Sequence, residues 1–588
     1  MDKDEQMTGN VTSGGDNSGD KSAAKTTPNT LTGAEAMVRM LQAHGVTHIF
    51  GLCGDTTLPF YDALARLDHG IEHILTRDER HAAYMADAYA RLTGKPGICE
   101  GPSGGGATYI LPGVVEANES SIPILAITTD VATTSRGKYP LTELDQVSLY
   151  RPLTKWNASL DNAASMPGMV RAAFRAMTTD TPGAVHLAFP FDTQKAPVDP
   201  DSIWADPHLA TYPAETVAPD PQAIRKAAAL LAGARKAVAI CGGGPVISSA
   251  FEVLRQIAEL LDLPVATTVS GQGAIAETDP HAVGVVGSNG GVPSTRAVVD
   301  EADLVLFIGC RAGSVTTERW RSPRPGTQIV HIDSDPMVIG ANYRTDVAIC
   351  ADARLALEAL LEELKATGTI AGNDGTARAA RAWEGKLDDF APLAASTETP
   401  IRPERVVATL QRLLDDDAII CADPGTPCPY FSAHYRWPKA GRHFITNRAH
   451  GALGYALAAA IGAHVARPDA KIVAAMGDGS FNFCCGEYET ITRHNMPILS
   501  IVFSNSVFGW IKAGQNAGFG KRFYNVDFSR TDHAAVASAF GVKAWRIEDP
   551  RELETVLQQA LAHDGPTLVD VISQPLHEAA APVSEWIA

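Results

Sequence analysis

Between Leu31 and about residue 575 the chain alternates short apolar strands with amphipathic helices, and it does so in three successive blocks. Strands that are apolar along their whole length and separated by helices belong to parallel sheets covered on both faces. The pattern therefore predicts an α/β fold of three doubly wound parallel-sheet domains. The first, over 31–197, has the strands THIFGL, EHILT, GICEG, PILAIT and AVHLAF; a Pro- and Asp-rich linker over 198–221 follows. The second, over 222–365, has KAVAICGGG, PVATT, ADLVLFIG and TQIVHID; a linker and helix fill 366–399. The third, over 400–588, has AIICAD, HFITN, KIVAAMGDG, PILSIVFSN and PTLVDVIS and ends in a C-terminal tail. Residues 1–30 are polar and rich in Gly, Ser, Thr and Asp, which predicts a disordered tail with no signal peptide.

Composition narrows the function. Acidic residues outnumber basic ones, 67 to 49, and the resulting net charge of −18 repels phosphate backbones and anionic lipid, so neither nucleic acid nor membrane is an expected partner. No apolar run reaches the roughly 18 residues needed to span a bilayer. The nine cysteines are odd in number, scattered among apolar neighbours and without a CxxC pair, which excludes a zinc site or a disulfide framework. Reduced thiols in the cytoplasm are the expectation.

The sharpest chemical signal is Gly477-Asp478-Gly479-Ser480 at the end of an apolar strand, followed 27 residues after Asp478 by Asn505 at the end of another. Glycines let the backbone approach a phosphate, and the amides opening the next helix favour its charge. Asp478 and Asn505 both offer oxygen, and with diphosphate oxygens they would complete the octahedral shell that Mg2+ prefers.

These residues, their order and their spacing resemble the thiamine diphosphate (ThDP) enzymes of the acetolactate synthase, pyruvate oxidase and pyruvate decarboxylase superfamily, and the likeness runs from about residue 31 to 575 as pyrimidine-binding, middle and diphosphate-binding domains. It implies Mg2+ held by Asp478, Asn505 and the Val507 carbonyl. It implies that Glu79, in Thr76-Arg77-Asp78-Glu79-Arg80-His81, is the glutamate that a partner subunit lends to the aminopyrimidine ring to promote its imino tautomer. Leu453, in the run Asn447 to Ala456, takes the place of the apolar wedge beneath the cofactor. Gly425 and Thr426, after Asp423-Pro424, resemble the loop on the diphosphate, with Gly477, Gly479 and Ser480 completing that cradle. Gly101 to Thr108 matches a Gly-rich turn beside the pyrimidine.

Around the reacting carbon the chain is less standard. Gly54-Asp55 stands where pyruvate decarboxylases carry a GD pair and acetolactate synthases a glycine, which makes Asp55 a candidate acid/base; an Asx turn or helix cap is the structural alternative. Leu141-Thr142 replaces a Phe-Gln pair, and Gly514 replaces a tryptophan. Trp510 is read either as an aromatic wall near the substrate or as core. His81 is read as a surface or packing residue. In the middle domain Gly242-Gly243-Gly244, Gly287 to Gly291 and Gly309-Cys310-Arg311 resemble positions that hold FAD. The charged continuation expected there is replaced by Ala312-Gly313-Ser314-Val315, so FAD is doubtful.

The resemblance implies decarboxylation of a 2-oxo acid followed by carboligation. The alternatives are a lyase, decarboxylase or acyltransferase acting on acyl-CoA thioesters or sulfoacetaldehyde, a non-catalytic ThDP-binding regulatory protein, and a flavin redox enzyme. A homodimer or homotetramer with shared active sites is implied.

Overall fold

The structure is a computed structural model, and it describes residues 30–368, 372–579 and 581–586. All but the last residue of the expected N-terminal tail lies outside the described residues.

Among the described residues twenty strands form four sheets, three of them large. A short strand β1 (Leu31–Thr32) pairs antiparallel with β8 (Pro197–Val198), closing the first unit where it begins and ends. Between them lie β2 (His48–Gly51), β3 (Glu72–Leu75), β4 (Gly97–Gly101), β5 (Ile124–Asp130), β6 (Trp156–Ser159) and β7 (Val185–Pro190). The middle sheet has β9 (Ala237–Cys241), β10 (Val265–Thr267), β11 (Ala282–Val285), β12 (Leu304–Ile308), β13 (Gln328–Asp333) and β14 (Val347–Cys350). The third has β15 (Ile419–Ala422), β16 (Phe444–Thr446), β17 (Ile472–Gly477), β18 (Ile498–Ser504), β19 (Lys543–Ile547) and β20 (Thr567–Ile572).

Every pairing inside the three six-stranded sheets is parallel, as the sequence pattern predicts. Their orders are β3-β2-β4-β5-β7-β6, β11-β10-β9-β12-β13-β14 and β16-β15-β17-β18-β20-β19. Central strands such as β5 and β18 are buried along their whole length, which is why they read as unbroken apolar runs. Each order reverses direction, between β2 and β4, between β9 and β12, and between β15 and β17; the first and third sheets turn back again at the far edge, where β7 and β20 insert inside β6 and β19. Loops leaving the carboxyl ends of the strands on either side of such a reversal splay apart and leave a crevice. All three crevices are lined by the glycine-rich turns picked out above.

The first and third units are fastened together by two helices. Glu79–Thr93 and Tyr455–Ala466 are both rich in alanine, and their buried faces share one core. Their backbones approach so closely that a Cβ on Gly462 would lie 2.2 Å from the Met85 carbonyl oxygen. The Pro-rich stretch after Pro197 lies along the first unit rather than free of it: Tyr212 N donates to Gly94 O at 3.0 Å and Ala214 N to Thr178 O at 2.8 Å. Among the described residues no helix is long and apolar enough to cross a membrane.

Candidate active site

At the reversal in the third sheet, Gly477-Asp478-Gly479-Ser480 ends β17 and opens the helix Asp478–Cys484. Asp478 is buried, and backbone amides fix both carboxylate oxygens: Gly479 N donates to Oδ1 at 2.9 Å, while Asn505 N and Ser506 N donate to Oδ2 at 2.7 and 2.6 Å. These bonds hold the Asn505 turn at the end of β18 against Asp478. Burial nevertheless pushes the Asp478 carboxyl above its ordinary value, against the pull of those amides. Asn505 is the odd residue: its side-chain Oδ1 and Nδ2 are both buried, and neither has a hydrogen-bond partner. A buried, unpaired amide costs about 1–3 kcal/mol and is rarely left without a purpose. Val507 is buried next to this turn, and Ser506 adopts a positive φ of 59° that turns the chain there.

The neighbouring strand β15 ends in Asp423-Pro424-Gly425-Thr426. A Cβ built on Gly425 or on Gly477 meets nothing within 4 Å, so both backbones border open space. Thr426 is buried at the start of the helix Pro427–His434. A Cβ on Gly479 would instead meet the Phe508 ring at 2.8 Å. Ser480 is buried near Asp423. Asp423 Oδ1 accepts from Gly454 N and Tyr455 N at 3.0 and 2.9 Å, capping the helix Tyr455–Ala466; Oδ2 has no partner, and burial pushes the group up to about 7. Leu453 lies half-buried just before that helix.

At the reversal in the first sheet, Glu79 opens its helix behind the cap Asp78 and is 8% exposed. Its Oε1 would lie 3.1 Å from a Cβ on Gly106, so the bare Gly101–Gly106 turn is what admits the carboxyl. Burial, reinforced by Asp78 and Glu100, raises the Glu79 carboxyl above its ordinary value. The loop after β2 lies alongside: a Cβ on Gly54 would strike Pro102 at 2.4 Å. Asp55 is exposed at the start of a 3-10 turn, and its Oδ1 accepts from Thr56 N at 2.8 Å. Thr56, Ser103 and Thr142 tie three loops by hydroxyl contacts of 3.1 and 2.6 Å.

The structure gathers the diphosphate-type residues Gly425, Thr426, Gly477, Asp478, Gly479, Ser480, Asn505 and Val507 on adjacent strand ends, and gathers Gly54, Asp55 and Glu79 on another crevice. Among the described residues no hydrogen bond joins the two groups. Other contributors carry no local sequence signal. Glu116 accepts from Ala449 N and His450 N, at 3.2 and 2.7 Å, and so pins the Gly-rich approach to Leu453 from the first unit. His81 is buried and its Nδ1 lies 2.9 Å from Glu487, so it joins the first and third units. Phe508 reveals itself only by its contact with Gly479.

The middle sheet has its own cavity of about 340 Å³ at the reversal, lined by Gly242–Gly244, Gly309–Thr316 and Asp333 and by Arg91, Arg442 and Arg448 from the flanking units.

Comparison with known proteins agrees with this arrangement unit by unit. Residues 31–149 match the thiamine pyrophosphate enzyme N-terminal TPP binding domain, 224–360 the central domain and 424–571 the C-terminal TPP binding domain. A probable acetolactate synthase large subunit from Methanococcus aeolicus is 36% identical over 558 residues, covering 93% of this chain and 92% of that protein. The acetolactate synthase large subunit of Haemophilus influenzae is 32% identical over 542 residues, covering 90% and 92%. The isozyme 3 large subunit of Escherichia coli is 31% identical over 537 residues, covering 90% and 92%. With its three sheets matched in order and such relatives aligned almost end to end, the chain belongs to the thiamine pyrophosphate enzymes and is a ThDP-dependent enzyme of acetolactate-synthase type.

Proposed function

We propose that the enzyme decarboxylates a 2-oxo acid and ligates the remaining fragment to a second carbonyl compound, with Mg2+ anchoring the cofactor's diphosphate. The observation that carries this reading is Asn505, a buried amide with both polar atoms unpartnered, held against Asp478 by two backbone hydrogen bonds. Among the described residues no cluster of three or more His, Cys, Asp or Glu side chains is poised for a metal, so a divalent ion here would depend on a mixed oxygen set. Asp478, the Asn505 amide oxygen and the Val507 carbonyl fit a hard cation that shares diphosphate oxygens. Gly425, Thr426, Gly477, Gly479 and Ser480 would cradle the diphosphate, and Leu453 would support the rings.

Bound there, ThDP supplies the nucleophile and the electron sink that C–C cleavage beside a carbonyl requires. The protein's part is orientation, exclusion of water and proton handling. Glu79, held protonation-prone by burial, exchanges a proton at Oε1 beside Gly106. Asp55, on the solvent-facing rim, exchanges a proton with substrate or product. A second copy of the chain brings its Glu79 to this chain's Asp478 crevice, so a homodimer is the smallest unit that can be active, with a homotetramer as its pairing. Nine free cysteines suit the cytoplasm. The Ala312–Val315 stretch, in place of a charged continuation, supports a chain without FAD. The relatives' names favour 2-oxo acids over acyl-CoA thioesters or sulfoacetaldehyde.

The test is a panel of 2-oxo acids and acyl-CoA thioesters with ThDP and Mg2+, followed for CO2 and ligation products. Release of CO2 from a 2-oxo acid, reduced at least about 100-fold in Glu79→Gln, is expected. Reaction of thioesters alone, or full activity in Glu79→Gln, would contradict the reading.

A further inference from the structure

The last described residues reach back from the third unit to the middle one. Gly290 N donates to Pro582 O at 2.9 Å, Ser584 N donates to Ser288 O at 3.0 Å, and Val583 bridges Asn289 as an antiparallel partner. Glu585 pairs with Arg321 and, at 3.7 Å, with Arg319, while the Ser584 hydroxyl donates to Glu318 at 2.9 Å. The surface that receives this segment is strained. Glu318, Arg319 and Trp320 have φ of 48°, 58° and 58°, three successive side-chain-bearing residues in the left-handed region. The left-handed region is unfavourable for residues with a side chain, so such a turn persists only where its surroundings over-determine it. Arg319 N to Ser314 O at 2.7 Å, Trp320 N to Thr317 Oγ1 at 3.0 Å and Arg296 to Glu318 at 2.9 Å do part of this, and the C-terminal segment adds to it.

At its other end the segment meets the helix Gly509–Gly518. The Trp586 and Trp510 rings are 5.1 Å apart at 62°, an edge-to-face contact. Gly514 on the same helix has no side chain, and a Cβ there would lie 3.2 Å from the Trp586 carbonyl oxygen. A side chain at 514 would require the segment to give way slightly. Gly509 is likewise backed by Leu576, 3.3 Å from where its Cβ would be. This helix begins one residue after Phe508, whose ring covers Gly479, and two after Val507. Trp510 also packs against the core of the third unit, and on the same helix Lys512 pairs with Asp527 at 2.7 Å and Gln515 donates to Tyr524 O at 3.1 Å; the C-terminal contacts add to these.

We infer that Trp586 is a positioning residue for the reaction: docked through Glu585 on the left-handed turn of the middle unit, the 581–586 segment holds the helix Gly509–Gly518, and through it the Asn505–Phe508 turn, over the Gly477–Ser480 crevice. The catalytic consequence rests on the reaction proposed above; the structural hold does not.

The full chain with Trp586→Ala, with Trp586→Phe and with Glu585→Ala separates the two. In cofactor-free protein, hydrogen exchange read by mass spectrometry on peptides spanning 509–518 reports the hold directly. Trp586→Ala and Glu585→Ala should lose about tenfold or more of the wild-type protection, and Trp586→Phe should keep it within about threefold. In the loaded enzyme Trp586→Ala should lower kcat/KM for a 2-oxo acid about tenfold and Trp586→Phe should restore it. Wild-type exchange in both Ala variants overturns the hold. Lost protection with unchanged kinetics, or a Phe variant as impaired as the Ala one, overturns the positioning role. A wild-type enzyme that turns over no 2-oxo acid sinks the proposed reaction, and the exchange measurement then still decides the hold.

Discussion

Asp423 ends β15 fully buried, caps the helix Tyr455–Ala466 with one oxygen and leaves the other unpaired. Its folded pKa of about 7 lies above the unfolded carboxylate value, so its contribution to stability is complete below about pH 4 and is lost as pH rises through 7. Cofactor-free protein should therefore lose on the order of 2–4 kcal/mol between about pH 4.5 and 7.5, and Asp423→Asn should flatten that slope. Denaturant titrations of both proteins at the two pH values check it; parallel slopes would contradict it. Asp423 and Asn505 mark the boundary of what sequence can reveal. Gly477, Asp478 and Asn505 are legible because phosphate approach and hard-cation ligation allow few residue types, and their spacing survives in the chain. The grip of Glu116 on His450, 334 positions away, is not legible, because nothing local to either residue encodes the contact. His81 reads as a surface or packing residue, and its buried contact with Glu487 shows packing between units.

Besides the short pair β1 and β8, the strands missing from the sequence reading are β6, β11, β14 and β19, and each is an outermost strand of its six-stranded sheet. An edge strand is covered by fewer neighbours, so it need not be apolar throughout: β6 is half-buried along its length and β14 alternates buried with exposed. Interior strands must be apolar on both faces and announce themselves. The helices follow a related logic. Glu79–Thr93 and Tyr455–Ala466 read as small-residue helices, but that they face each other depends on Gly462, where the Met85 carbonyl fills the space a side chain would take. Gly462→Ala should force the two helices apart and cost about 1–3 kcal/mol, read as a lowered denaturant midpoint with an unchanged slope. An unchanged midpoint would mean that the contact yields without cost.

For the molecule as a whole, two sheets of one strand order and a middle sheet of another place three glycine-lined crevices, and the contents of those crevices decide their roles. The architecture was readable from strand and helix periodicity. The division of the site between two crevices was not, because it depends on how the first and third units face each other and on a second copy of the chain. The account stands on the third-sheet crevice being where Mg2+ and the diphosphate meet. Calorimetric titration of ThDP into cofactor-free protein, with Mg2+ and with chelator, tests this in wild type, Asp478→Asn and Asn505→Ala. The account predicts Mg2+-dependent binding in the wild type, weakened about 100-fold or more, roughly 2.7 kcal/mol, by either substitution. Equal ThDP affinity in all three proteins, or binding indifferent to Mg2+, would contradict it.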